Sequence, residues 1–173
     1  MGTDIEKSYF PTDPPKNTTY HVQDVNKPWP TEWKEHFDLV HQRLGLVAAG
    51  DEQATLSAVR NLVELVKPGG WIQIVEFHDW TADDDSQAWK DYTTSLCDMC
   101  KAIGSTVDHA NRVKGWFGEL GLVDIDEDVA TANYGSRDDK EFETIAKRSA
   151  LTTAKSVLGV VASKCTIVDL CYI

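Results

Sequence analysis

Proton transfer is the chemistry that the residue types and spacing of this sequence suggest first. His41 falls at the carboxyl end of the strand-like stretch Phe37-Asp38-Leu39-Val40-His41-Gln42-Arg43. Glu76 and His78 close the next apolar stretch, which begins at Trp71. His109, followed by Asn111 and Arg112, opens a helical pattern further on. A histidine titrates near neutrality, and a carboxylate on an apolar strand has its pKa raised by desolvation. Such a pair can take a proton from an acidic carbon or hydroxyl and return it elsewhere. His41, Glu76, His78 and His109 are therefore the expected catalytic set. His36, in the charged run Glu32-Trp33-Lys34-Glu35-His36, reads as merely exposed, and His21 as a hydrogen-bonded strand residue.

Those residues need a scaffold, and the hydrophobic pattern supplies one. Thr19–Val25 and Phe37–Arg43 read as strands. Asp51 is placed to cap a helix whose Leu56, Val59, Leu62, Val63 and Val66 recur at three- and four-residue steps. Lys67-Pro68-Gly69-Gly70 reads as the stop of that helix. Trp71–Phe77 follows as a strand apolar enough to be buried on both faces. Helices are expected over Gln87–Ala102 and Val107–Leu120, then a half-buried outer strand over Gly121–Val129. A last helix over Glu141–Ser163 leads into a strand, Cys165–Ile173. Alternating strands and helices predict an α/β fold with a mostly parallel sheet and helices on both faces. All 173 residues form one expected domain.

Composition narrows the partners. The chain carries 28 acidic and 17 basic residues, a formal net charge of −11. Such a chain repels phosphate backbones and anionic lipid, so neither nucleic acid nor a membrane surface is an expected partner. Met1–Glu6 lacks the basic and apolar regions of a signal peptide, which points to the cytoplasm. Cys97-Asp98-Met99-Cys100 has no second ligand pair, so packed thiols on a helix are expected rather than a zinc site. Asp83-Asp84-Asp85 reads as a solvated turn. No metal is expected. Six tryptophans could line a site for a flat, hydrophobic small molecule.

Four segments taken in order, Gly2-Thr3-Asp4-Ile5, Val22-Gln23-Asp24-Val25, Phe37–Arg43 and Leu65-Val66-Lys67-Pro68-Gly69-Gly70-Trp71, together with His109–Trp116, carry a family likeness. Over roughly residues 1–160 the chain resembles class I S-adenosylmethionine (SAM)-dependent methyltransferases, in the form common in filamentous-fungal secondary metabolism. The resemblance implies a Rossmann-like sheet. It also implies that Asp4, ending a strand, holds the cofactor ribose and that Asp24 meets the adenine amino group. It places Asp38 and His41 where donor and acceptor sites meet, and Glu76, His78 and Asp79 at the mouth of the substrate pocket.

The sequence departs from that family at its start, and it also lacks the family's terminal antiparallel hairpin strand. The family's first strand and glycine-rich loop would precede Asp4 by roughly 20 residues, and three residues precede it here. That departure leads to the expectation of a SAM-independent cyclase or isomerase without a cofactor, acting on a fungal natural-product intermediate. The alternatives are a methyltransferase completed by a partner chain and a non-catalytic regulatory partner. A sheet without its central strand also predicts a homodimer that exchanges the C-terminal strand.

Overall fold

The computed structural model describes residues 1–77, 87–130 and 140–169. His78, Asp79, Trp80, Asp83–Asp85 and the last four residues lie outside them. Every strand pairing among the described residues is parallel. β1 (Gly2–Asp4) pairs with β2 (Tyr20–Val22), and backbone bonds from Gly2 N to Thr19 O and from Gln23 N to Asp4 O extend the ladder at both ends. β3 (Phe37–Arg43) pairs with β4 (Val66–Val75) in the register Val40↔Ile72 and His41↔Gln73. The two pairs form separate two-stranded sheets.

Between β3 and β4 runs a short 3₁₀ turn, Leu46–Ala49, and then α1, Glu52–Val63. Asp51 starts α1 as expected, its carboxylate accepting the Ala54 N–H at 2.9 Å and satisfying a donor the helix itself cannot. Thr55, Ala58, Val59 and Leu62 form the buried stripe. This stripe packs on the face of β3 and β4 that carries Val40, Ile72 and Ile74. α3 (His109–Glu119) adds Val113, Trp116 and Phe117 to the same core, with Leu46 and Val59 fully enclosed. α2 (Gln87–Ala102) packs against α4 (Lys140–Asp169); Leu96 and Cys100 of α2 and Ala146 of α4 are buried. Cys97 is half-buried and, like Cys100, a free thiol.

Four expectations are corrected. The Lys67–Gly70 segment does not stop α1; it lies inside β4 as a bulge, where two steps along β3 (Phe37 to Leu39) match five along β4 (Val66 to Trp71). The helix ends earlier, at Val63, because Leu65 and Val66 are needed on the sheet. Second, β4 is not buried on both faces: Ile72 and Ile74 face the helices, whereas Trp71 is 63% exposed. Third, residues 122–129 form no strand; Leu122 and Ile125 reach the core from irregular backbone, and Val123 is exposed. Fourth, the segment expected as a terminal strand from Cys165 is helical to Asp169, continuing α4. The element proposed for exchange between two copies is therefore not a strand there.

The bulge depends on two glycines. Gly69 has φ of +80°, a region closed to most side chains. A Cβ on Gly70 would stand 2.9 Å from Asp38 O. Gly70→Ala should cost about 1–3 kcal/mol in urea unfolding, as overpacking does. Wild-type stability in that variant would contradict the bulge.

Candidate functional site

In parallel sheets the carboxyl ends of the strands are where loops and ligands meet. Asp4 terminates β1 and Asp24 stands two residues beyond the end of β2, so neighbouring strands present both carboxylates at one edge. Both are half-buried. Asp4 Oδ1 accepts the Glu6 N–H at 2.8 Å, and Asp24 Oδ1 accepts the Asn26 N–H at 2.9 Å. Each carboxylate thus spends one oxygen on fixing its own turn and keeps the other as an acceptor. The Asp24 turn is further closed by Lys27 N to Asp24 O at 3.0 Å and by the Gln23 carboxamide, which donates to Asp24 O and Pro28 O.

Glu76 follows β4 at the same edge of the second sheet. Its Oε1 accepts two backbone donors, Gly45 N–H at 2.8 Å and Leu46 N–H at 2.9 Å. Burial pushes the Glu76 carboxyl above the usual carboxylate range, and the two amide donors pull it partly back. A link joins the sheets here: the Asn26 side-chain amide donates to Ala48 O at 3.3 Å.

Of the expected acid–base set, His41 and Glu76 are not brought together among the described residues. His41 lies in the interior of β3 on the exposed face, its Nδ1 2.9 Å from Gln73 Oε1 across the ladder. Glu76 shares the alternation of Ile72 and Ile74 on the helix-covered side. The strand period of two therefore puts His41 and Glu76 on opposite faces. Asp38 sits at the amino end of β3, paired with Lys67 at 2.8 Å, which holds its carboxyl low. His78 and Asp79 are outside the described residues. His109 is 3% exposed at the start of α3, with Nε2 3.3 Å from Ser105 Oγ and, among the described residues, no partner on Nδ1. Arg112 bonds to Glu52 at 2.8 Å and so ties α3 to α1.

Among the described residues, no group of three or more His, Cys, Asp and Glu could hold a metal ion, and no helix is long and apolar enough to cross a membrane. A cleft of about 180 Å³ lies beside Pro28, Trp29, Lys34, Glu64 and Leu65, at the amino end of β4. Asn26 escaped sequence reasoning. Its signal was local: an Asp followed two residues later by Asn, before Lys27-Pro28, is a side-chain-closed turn.

The chain is 39% identical over 128 residues to N-methyltransferase sirN of Leptosphaeria maculans, covering 73% of this chain and 45% of that protein. It is 31% identical over 157 residues to N-methyltransferase gliN of Aspergillus fumigatus, covering 87% and 55%. Methyltransferase psoC of the same fungus is 32% identical over 136 residues, covering 79% and 49%. The chain thus spans about half the length of these curated relatives. No family model and no solved structure matches it. These names overturn two expectations, the SAM-independent cyclase or isomerase and the absence of a cofactor. Both rested on what stands ahead of Asp4, and a chain matching half of each relative gives that boundary no chemical meaning.

Burial, opposed by Asp108 and Glu52 and helped by Arg112, pulls the His109 imidazole below its ordinary value. The folded state therefore favours neutral His109. Its contribution is complete above the unfolded value of about 6.5 and is lost as pH falls from there toward the folded pKa. The stability gap between wild type and His109→Leu, measured by urea unfolding, should be constant above about pH 7 and shift toward the variant below about 6.5. A gap independent of pH would contradict the buried neutral imidazole.

Proposed function

We propose, from the premise that the chain belongs to a fungal methyltransferase-like family, that it supplies the adenosyl-binding edge of a SAM-dependent N-methyltransferase. The acceptor proposed is a nitrogen on a small, apolar natural product. The observation that carries this reading is the pair of half-buried carboxylates, Asp4 and Asp24, at the carboxyl ends of adjacent parallel strands.

That pair fits the chemistry of an adenosyl group, which offers ribose hydroxyls and an adenine amino group as donors. Asp4 is the acceptor for the hydroxyls and Asp24 for the amino group. Each has an oxygen left after closing its turn. Hydrogen bonds to ionised carboxylates are the stronger kind, worth about 1.5–3 kcal/mol each. When bound, SAM supplies an electrophilic methyl group on a sulfonium sulfur. The chain's task is then orientation, because a neutral amine already carries its nucleophilic lone pair and loses its proton to solvent after transfer. His41 has no part in that task, since it lies on the other face of its sheet from the turn that Glu76 holds. Glu76 acts through the turn it holds.

Calorimetric titration of the chain with SAM and with its demethylated product tests the reading. Dissociation constants in the micromolar range are expected. Asp24→Ala should weaken them by about 10- to 100-fold, the equivalent of one charge-assisted bond. Absence of binding at millimolar SAM, or an unchanged constant in Asp24→Ala, would overturn it.

A further inference from the structure

We propose that Asn26 is a positioning residue, fastening the Asp24 turn to the Leu46–Ala49 turn that Glu76 grips from its other end. The role assigned to it rests on the adenosyl-binding reading of Asp24, and the contacts stand independently of that reading. Asp24 Oδ1 accepts the Asn26 N–H, and the Asn26 side chain donates to Ala48 O, 22 residues away in sequence. At the start of the same 3₁₀ turn, Gly45 and Leu46 both donate to Glu76 Oε1. The resulting bracket crosses the ends of β2, β3 and β4.

Three features make this a bracket and not a chance surface contact. The two sheets share no ladder, so nothing in the backbone pairing fixes their spacing at this edge. Away from it, His21 of β2 meets Trp33, in the turn ahead of β3, edge-on with ring centroids 5.1 Å apart. The turn between the two grips is seated by Leu46, 0% exposed, and Ala49, 5% exposed, so it can hold a load applied at either end. And the Gln23 carboxamide fills the Asp24–Pro28 turn from inside, leaving that turn stiff enough for a pull on Asn26 to reach Asp24. Asn26 is itself exposed, so its contacts serve position more than folding.

Amide hydrogen exchange and SAM titration on Asn26→Ala and Asn26→Asp, beside wild type, test the proposal. Both variants lose the donor to Ala48 O. The Gly45 and Leu46 amides should exchange about tenfold faster, while the thermal midpoint stays within about 2 °C. SAM affinity should fall about tenfold through the misplaced carboxylate. A companion pair isolates the other grip: Glu76→Gln keeps an oxygen that can accept both amides and should retain slow exchange and affinity, whereas Glu76→Ala should lose both. Unchanged exchange at Gly45 and Leu46 in the Asn26 variants overturns the bracket. If wild type binds SAM and the Asn26 variants bind it equally, the positioning role falls while the methyltransferase reading stands. If wild type binds no SAM but the exchange effect is present, the bracket stands and the methyltransferase reading falls.

Discussion

One oxygen of Glu76 carries the organisation of the carboxyl edge. A turn leaving a strand exposes backbone donors that must be satisfied, and burying them unpaired costs about 1–3 kcal/mol each. Glu76 Oε1 takes two of these at once, from Gly45 and Leu46. Because the turn is closed there, Leu46 can point inward and be enclosed with Val59, Val113, Trp116 and Phe117. α3 is docked through that cluster, and α1 enters immediately after the turn under the Asp51 cap. Removing the carboxylate would therefore loosen a loop, a core anchor and a helix register together.

Among the described residues, the same arrangement brings carboxylates and not histidines to this edge. β1 ends in Asp4, Asp24 stands two residues beyond β2, and Glu76 directly follows β4. His41 is spent on a cross-strand bond to Gln73 on the far face, and His109 is enclosed at the start of α3 with Ser105 against its Nε2. Acceptors with fixed turns suit a ligand rich in hydroxyl and amino donors. They suit proton shuttling poorly, which agrees with relatives named for methyl transfer.

Much of this was legible in the sequence wherever a local rule decides the outcome. Phe37–Arg43, the Asp51 cap and Gln87–Ala102 are found where pattern and capping chemistry put them. Legibility failed where tertiary context overrides local signal. Lys67-Pro68-Gly69-Gly70 has the composition of a helix stop, yet the parallel ladder absorbs it as a bulge. Leu122 and Ile125 have core contacts without a strand; the Leu122 N–H is spent on Phe117 O, closing the end of α3 rather than joining a ladder. The apolar run of β4 looked two-sided, but Trp71 faces outward. For the site, Asp4 and Asp24 were legible through the family likeness. The separation of His41 from Glu76 follows from strand parity, which position along the strand alone does not capture. Asn26 was hidden because its partner, Ala48 O, is a backbone atom no sequence motif advertises.

The central claim is that an adenosyl ligand binds across the carboxyl ends of β1 and β2, against a turn held by Glu76. A SAM titration followed through backbone amide resonances tests it residue by residue. The account predicts shifts concentrated at Asp4, Asp24, Asn26, Gly45 and Leu46, with the His41–Gln73 face unmoved. Shifts centred on Leu39, His41, Trp71 and Gln73, or on the cleft beside Trp29 and Lys34, would contradict it.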